Sequence, residues 1–146
     1  MKLKIEQSDE FDEIEVTIRC KTIDSRLQKA IDILQNTPKT LTVQNNGALK
    51  IIKTGLIYYI ESVDEKTFVY CESEVYSSEL KLYEFEELFS SISFVRISKA
   101  CILNIDYIDS IRVLLNGKLE ATLMNSEKVI ITRHYVPMFR KKLNSM

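Results

Sequence analysis

From about Lys39 to Thr132 the hydrophobic pattern returns again and again to a period of two, in short runs separated by turn-forming residues. This constrains the fold more than any other feature of the chain. Alternate side chains of a strand point to opposite faces, so each run has a face to bury and a ladder of backbone groups to pair. The runs read as Leu41 to Gln44, Ala48 to Ile52, Leu56 to Ile60, Thr67 to Cys71 and Val75 to Leu80. After a gap they resume at Phe94 to Ile97, Ala100 to Asn104, Ile108 to Leu115, Lys118 to Met124 and Lys128 to Thr132. Asn45-Asn46-Gly47 is a hairpin signal, and Asn116-Gly117 predicts a two-residue hairpin turn, because Asn and Gly accept positive φ at low cost. Thr54-Gly55 reads as a break and Asp64-Glu65-Lys66 as a polar tip between two β-rich segments.

Helical spacing interrupts the series. Leu82, Phe85, Leu88 and Phe89 form an apolar stripe with Glu84, Glu86 and Glu87 turned outward, the pattern of an amphipathic helix. A second helix follows the last strand, bearing Tyr135, Met138, Phe139 and Leu143, with Pro137 suited to its first turn. Ahead of the β region, Glu13 to Cys20 alternates as EIEVTIRC and predicts a strand. Ile23, Leu27, Ala30, Ile31 and Leu34 then predict a helix, capped by Thr22 or Asp24 and ended at Thr37-Pro38.

The expected organisation is thus a small strand-helix unit over 1–40 and a mainly β (α+β) domain over 41–146. The latter is antiparallel, with one internal and one C-terminal helix. A chain of 146 residues can bury a core without metal or disulfide staples. The N-terminal unit is too short for a phosphoacceptor receiver and lacks its clustered acids, so regulatory input is expected from elsewhere; the unit is the candidate for dimerisation or for docking a regulator.

Several classes are set aside. Met1 to Asp9 is too polar for a signal peptide and no apolar run is long enough to cross a bilayer, so a cytoplasmic location is expected. Cys20, Cys71 and Cys101 are odd in number and far apart. They read as buried reduced thiols, without zinc spacing. Catalysis has little to stand on: one histidine, His134, no phosphate-cradling glycine loop and no nucleophile elbow. Glu84/Glu87 reads as a solvated helix face and Asp106/Asp109 as a strand entry. No enzyme activity, metal, cofactor or small-molecule substrate is expected.

The net charge of −1 hides an uneven distribution. Acids dominate from Glu61 to Glu87, against Lys66 and Lys81. From Arg96 onward bases dominate: Arg96, Lys99, Arg112, Lys118, Lys128, Arg133, Arg140, Lys141 and Lys142, against Asp106, Asp109, Glu120 and Glu127. Such an asymmetry either orients a polyanion or is a solvated face. Two cationic steps fall where apolar runs turn or end, in Phe94 to Asn104 and at Arg133-His134-Tyr135. Recognition groups commonly sit at such places on a rigid scaffold.

The ordered segments LIYYIES (56–62), LKLYEFEEL (80–88), FVRISKACILN (94–104), Ile108 to Ile111 and VIITRHY (129–135) resemble the LytTR family of bacterial DNA-binding domains, in order and spacing, from about Leu41 to Leu143. The resemblance implies an elongated arrangement of small antiparallel sheets. It also implies sequence-specific binding of double-stranded DNA by loops that enter successive major grooves on one face. Three loop positions carry over: Lys66 or Thr67 after the first strand pair, Lys99 after Arg-Ile-Ser, and Arg133 at the opening of the last step. The loop after Ser62 departs from the family in its acidic Asp64 and Glu65.

Residue chemistry agrees at two of these positions. Arg133 can donate two parallel hydrogen bonds to guanine, its alternative being an exposed salt bridge. Lys99 is a point charge suited to phosphate, with Ser98 a hydroxyl donor beside it, its alternative being a solvated turn lysine. Arg96 either contacts phosphate or buttresses the loop, with the buttress favoured. His134 reads as a packing or phosphate-adjacent group, and Arg140, Lys141 and Lys142 as extra salt-dependent affinity or a solvated helix end. Tyr58, Tyr59, Tyr70, Tyr76 and Tyr83 are expected to pack rather than to stack on bases.

The expected function is transcriptional regulation through duplex DNA, with two copies on paired repeats phased by about one turn, about 10 bp. Relatives that lack a receiver are often encoded with small membrane proteins that restrain them, so the resemblance also implies a membrane-protein regulator. The competing expectation is a β module that binds protein rather than DNA, or a sequestering subunit.

Overall fold

Each alternating run between Lys39 and Thr132 finds a partner in the computed structural model, which describes residues 1–35, 38–90 and 93–145. The described residues form ten strands and three α-helices. The strands are β1 (Thr40–Asn45), β2 (Ala48–Lys53), β3 (Tyr59–Val63), β4 (Lys66–Tyr70), β5 (Val75–Ser78), β6 (Phe94–Ser98), β7 (Cys101–Asn104), β8 (Ile108–Val113), β9 (Leu119–Leu123) and β10 (Lys128–Ile131). The helices are α1 (Ser25–Gln35), α2 (Leu82–Leu88) and α3 (Val136–Asn144). All recorded pairings are antiparallel. They build a seven-stranded sheet ordered β2-β1-β5-β4-β3-β7-β6 and a three-stranded sheet ordered β10-β9-β8. One large sheet and one small sheet therefore stand where several small ones were expected.

The large sheet is covered on both faces. On one side Leu82, Phe85 and Phe89 of the α2 region close a core over Val43, Ile60, Val69 and Ile102. On the other, Val95, Ile97 and Leu103 meet Leu119, Ala121, Leu123 and Ile131 of the small sheet and Phe139 of α3. This explains why β6 and β7 read as nearly continuous apolar runs: successive side chains enter opposite cores. Asn104, only 2% exposed, is satisfied within this layer. Its Nδ2 donates to the Ile57 carbonyl at 2.8 Å, and its Oδ1 accepts from the Asp106 N–H at 3.1 Å.

The turns follow their chemistry, with informative differences. Asn46 (φ 51) and Gly47 (φ 82) close β1–β2, as the Asn-Gly signal requires. Asp64 (φ 51) and Glu65 (φ 66) close β3–β4 in the same region without a glycine. The β8–β9 loop is longer than predicted. The Leu114 N–H donates to the Lys118 carbonyl at 2.9 Å, so Leu115, Asn116 and Gly117 lie outside the ladder, with positive φ at Asn116 (64) and Gly117 (75). Leu56 belongs to a 3₁₀ turn, Thr54–Leu56, and β3 starts only at Tyr59.

The N-terminal strand does not form. Glu13 to Cys20 has no ladder partner, and every residue from Met1 to Arg26 is exposed, Ile14 at 98%. Alternation supplies a dry face but not a neighbour for its backbone groups, and none of the described residues of this chain provides one. The helix does form, capped by Asp24, whose Oδ1 accepts the Leu27 N–H at 2.7 Å, yet α1 contains no buried residue. Thr37, the predicted stop, lies outside the described residues.

The thiols also divide. Cys20 is exposed rather than buried, while Cys71 and Cys101 are half-buried. Burial pushes the Cys101 thiol up to about 12, which leaves it protonated and inert at neutral pH. Tyr58 stacks on Tyr107 and Tyr59 on Tyr70, and Tyr76 is in the core. Tyr83 differs from the expectation: it is 62% exposed at the start of α2.

Candidate nucleic-acid interface

The β6–β7 turn is held by side-chain bonds to its own backbone, most of them from Arg96. Arg96 Nε donates to the Ser98 carbonyl at 2.8 Å, a terminal nitrogen donates to the Lys99 carbonyl, and the other binds Glu86 Oε2 of α2 at 3.1 Å. Its side chain is only 16% exposed. These internal bonds fit the buttress reading of Arg96, a task for which the rigid guanidinium fork is suited and a lysine is not. Ser98 is turned to the same purpose. Its Oγ accepts the Ala100 N–H at 3.2 Å, a local turn bond that shapes the turn and leaves the O–H available to donate. Lys99, at the tip, is exposed.

The β3–β4 tip lies against this turn, tied by the Ser62 N–H donating to the Ala100 carbonyl at 2.8 Å. Here the pair Lys66 or Thr67 separates. Lys66 is exposed, while Thr67 is 3% exposed, because neighbouring positions on a strand face opposite ways. Thr67 is therefore corrected to a packing residue. Ser62, Glu65, Lys81, Tyr83 and Lys99 line one shallow depression between the tip, α2 and the β6–β7 turn. Lys81 Nζ reaches the Glu65 carbonyl at 3.4 Å. Lys81 and Tyr83 were not singled out as site residues in the sequence, because they read only as a helix start.

Arg133 opens a 3₁₀ turn, Arg133–Tyr135, between β10 and α3. The residue before it fixes its place. The Thr132 N–H and Oγ1 both donate to the Ile97 carbonyl, at 2.9 and 3.3 Å. That carbonyl lies in the same strand as Ser98, so the Arg133 turn and the Lys99 turn spring from adjoining backbone. Arg133 and His134 are both exposed, and His134 sets an edge against Tyr135 at 5.0 Å. Of the C-terminal cations, Lys142 is engaged internally, donating to the Ser90 carbonyl at 3.1 Å. Its partial burial lowers its pKa.

Gly117 completes the site. A Cβ there would stand 3.1 Å from Arg133 Cγ and 3.2 Å from Cδ, so the arginine stem lies across the β8–β9 loop. The Asn-Gly dipeptide announced a turn, but nothing in its spacing told that Arg133 would rest on it. Gly117→Ala is expected to cost about 1–2 kcal/mol through the left-handed backbone alone, and to displace the arginine stem as well. Urea unfolding should show the first effect, and binding to a preferred duplex compared with random duplex the second.

Comparison with known proteins bears on the domain as a whole. A family model described as the LytTr DNA-binding domain matches residues 47–144. A curated relative, the sensory transduction protein LytT of Enterococcus faecalis, is 23% identical over 137 residues, 91% of this chain. The match takes in 57% of that relative's length. A solved structure of a LytTr DNA-binding domain from Bacillus cereus superposes with a TM-score of 0.69 at 26% identity, covering 73% of this chain and 97% of that one.

Proposed function

The chain belongs to the LytTR family of DNA-binding domains, and from that premise we propose that it is a transcriptional regulator reading duplex DNA sequence-specifically in successive major grooves. The observation that carries the reading is the double hydrogen bond from Thr132 to the Ile97 carbonyl. It sets two exposed cations of different chemistry, Lys99 and Arg133, on turns anchored to a common strand. Lys99 and Lys66 serve the phosphates, Arg133 reads base edges, and His134 stands beside it. Arg96 and Ser98 hold the turn. Two copies act on repeats phased by about one helical turn, since one module of this size covers too little duplex for high specificity. The N-terminal unit over 1–40 joins the copies. The protein works in the cytoplasm, and a small membrane protein is its candidate regulator.

Lys99→Ala should weaken binding to preferred and random duplexes alike and lower the slope of log affinity against log salt by about one. Fluorescence anisotropy across a salt series measures both. An unchanged slope would remove Lys99 from the phosphate contacts. A second reading, a β module that binds protein, draws support from the acidic tip: Glu65 lines the same depression as Lys99. A wild-type chain that binds no duplex at low salt but forms a tight protein complex would establish it.

A further inference from the structure

The N-terminal segment is complementary to itself. In Glu13-Ile14-Glu15-Val16-Thr17-Ile18-Arg19-Cys20-Lys21 the acids precede the centre and the bases follow it at matching distances. An antiparallel pairing centred on Thr17 sets Glu13 against Lys21 and Glu15 against Arg19 on one face. On the other it sets Val16 against Ile18 and Ile14 against Cys20. Parallel in-register pairing would instead oppose like charges, which destabilises a sheet. A one-residue slip would mix the charged and apolar faces.

We propose that residues 13–21 of two copies of this chain form a two-stranded antiparallel ribbon about a two-fold axis at Thr17, with the two α1 helices covering its apolar face. The structure supplies the unpaired halves. Ile14, Val16 and Ile18 are exposed, at 98%, 57% and 42%, and α1, with its amphipathic pattern, contains no buried residue. A lone strand has only water to pair with its backbone groups, and an isolated helix of this length is marginal in water. A two-stranded ribbon also needs a helix or further strands on its apolar face. Self-pairing meets all these needs at once, with each chain contributing one strand and one helix. The proposal rests on the reading that two copies act together, and its test is made without DNA so that the two can fail separately.

In a Cys20→Ser background, Thr17→Cys should give a covalent dimer on mild oxidation, because directly opposed residues of an antiparallel pair lie within disulfide reach. Ile14→Cys in the same background should not, since its copies would be about 20 Å apart at about 3.3 Å per residue. In ultracentrifugation, Glu15→Arg alone and Arg19→Glu alone should each lose the dimer at concentrations where wild type keeps it. The double variant E15R/R19E should restore it, and a mixture of the two single variants should form heterodimers seen by native mass spectrometry. A monomeric wild type, a dimer indifferent to both charge reversals, or cross-linking at position 14 as readily as at 17 would overturn the ribbon. A monomer with residues 48–53 protected from hydrogen exchange only while the segment is present would also overturn it, by seating the segment on its own β2 edge. Retained DNA binding beside any of these results would leave the DNA reading intact.

Discussion

Replacing Arg133 by alanine is expected to weaken binding to the preferred duplex by about 1 to 3 kcal/mol, a factor of about 5 to 150, while binding to random duplex changes little. The asymmetry follows from what the side chain can do. A guanidinium donating in parallel to guanine O6 and N7 loses a partner of fixed geometry when it is removed, and only at sites that carry that guanine. Its stem is braced across Gly117 and its backbone is held by the Thr132 bonds to Ile97. Little ordering is therefore left to be done on binding, which preserves affinity. Arg133→Lys should recover phosphate attraction but not discrimination, because an ammonium has no fork. Competition binding, with preferred and scrambled duplexes in one titration, gives both numbers. An equal loss on both would reduce Arg133 to a phosphate contact.

The largest stability effect is expected at Phe139. Its ring is fully buried between α3, β6 and the small sheet, and Phe139→Ala should cost about 3–5 kcal/mol through lost burial and the cavity left behind. That is a large part of the stability of an ordinary domain. The urea midpoint should fall with an unchanged slope if folding remains two-state. The matched control is Phe85→Ala, which empties the other core, under α2, at similar cost. The two should differ in function. α3 begins directly after the Arg133 turn, so among molecules that remain folded Phe139→Ala should reduce discrimination between duplexes more than Phe85→Ala does. Equal effects would mean that the Arg133 turn does not depend on the packing of α3.

The β domain was legible because its patterns are local. Alternation, Asn-Gly and the Leu82, Phe85, Phe89 stripe are read within a few residues, and each has its counterpart in the sheets, turns and α2. What was not legible depended on which partners the folded chain brings up, and not on any local pattern. EIEVTIRC has the same pattern as a paired strand and differs only in lacking a neighbour. Thr67 and Lys66 differ by one position, and the strand's alternation, fixed by its register with β3 and β5, buries one and exposes the other. Arg96 in a strand is neutral between inward and outward until Glu86 and the two turn carbonyls are seen around it. The rest of Arg133 on Gly117 and the meeting of Lys81 with Glu65 join residues 16 positions apart. No periodicity records such pairs.

Selection of bound duplexes from a random library, run in parallel with wild type and with Arg133→Ala, tests most directly whether these turns read DNA. Wild type should enrich paired repeats spaced by about 10 bp or a multiple of it. The variant should still enrich duplex weakly but lose preference at one guanine in each repeat. A wild-type pool that emerges as random as it entered, or a variant pool with the same repeats at the same strength, would contradict that reading.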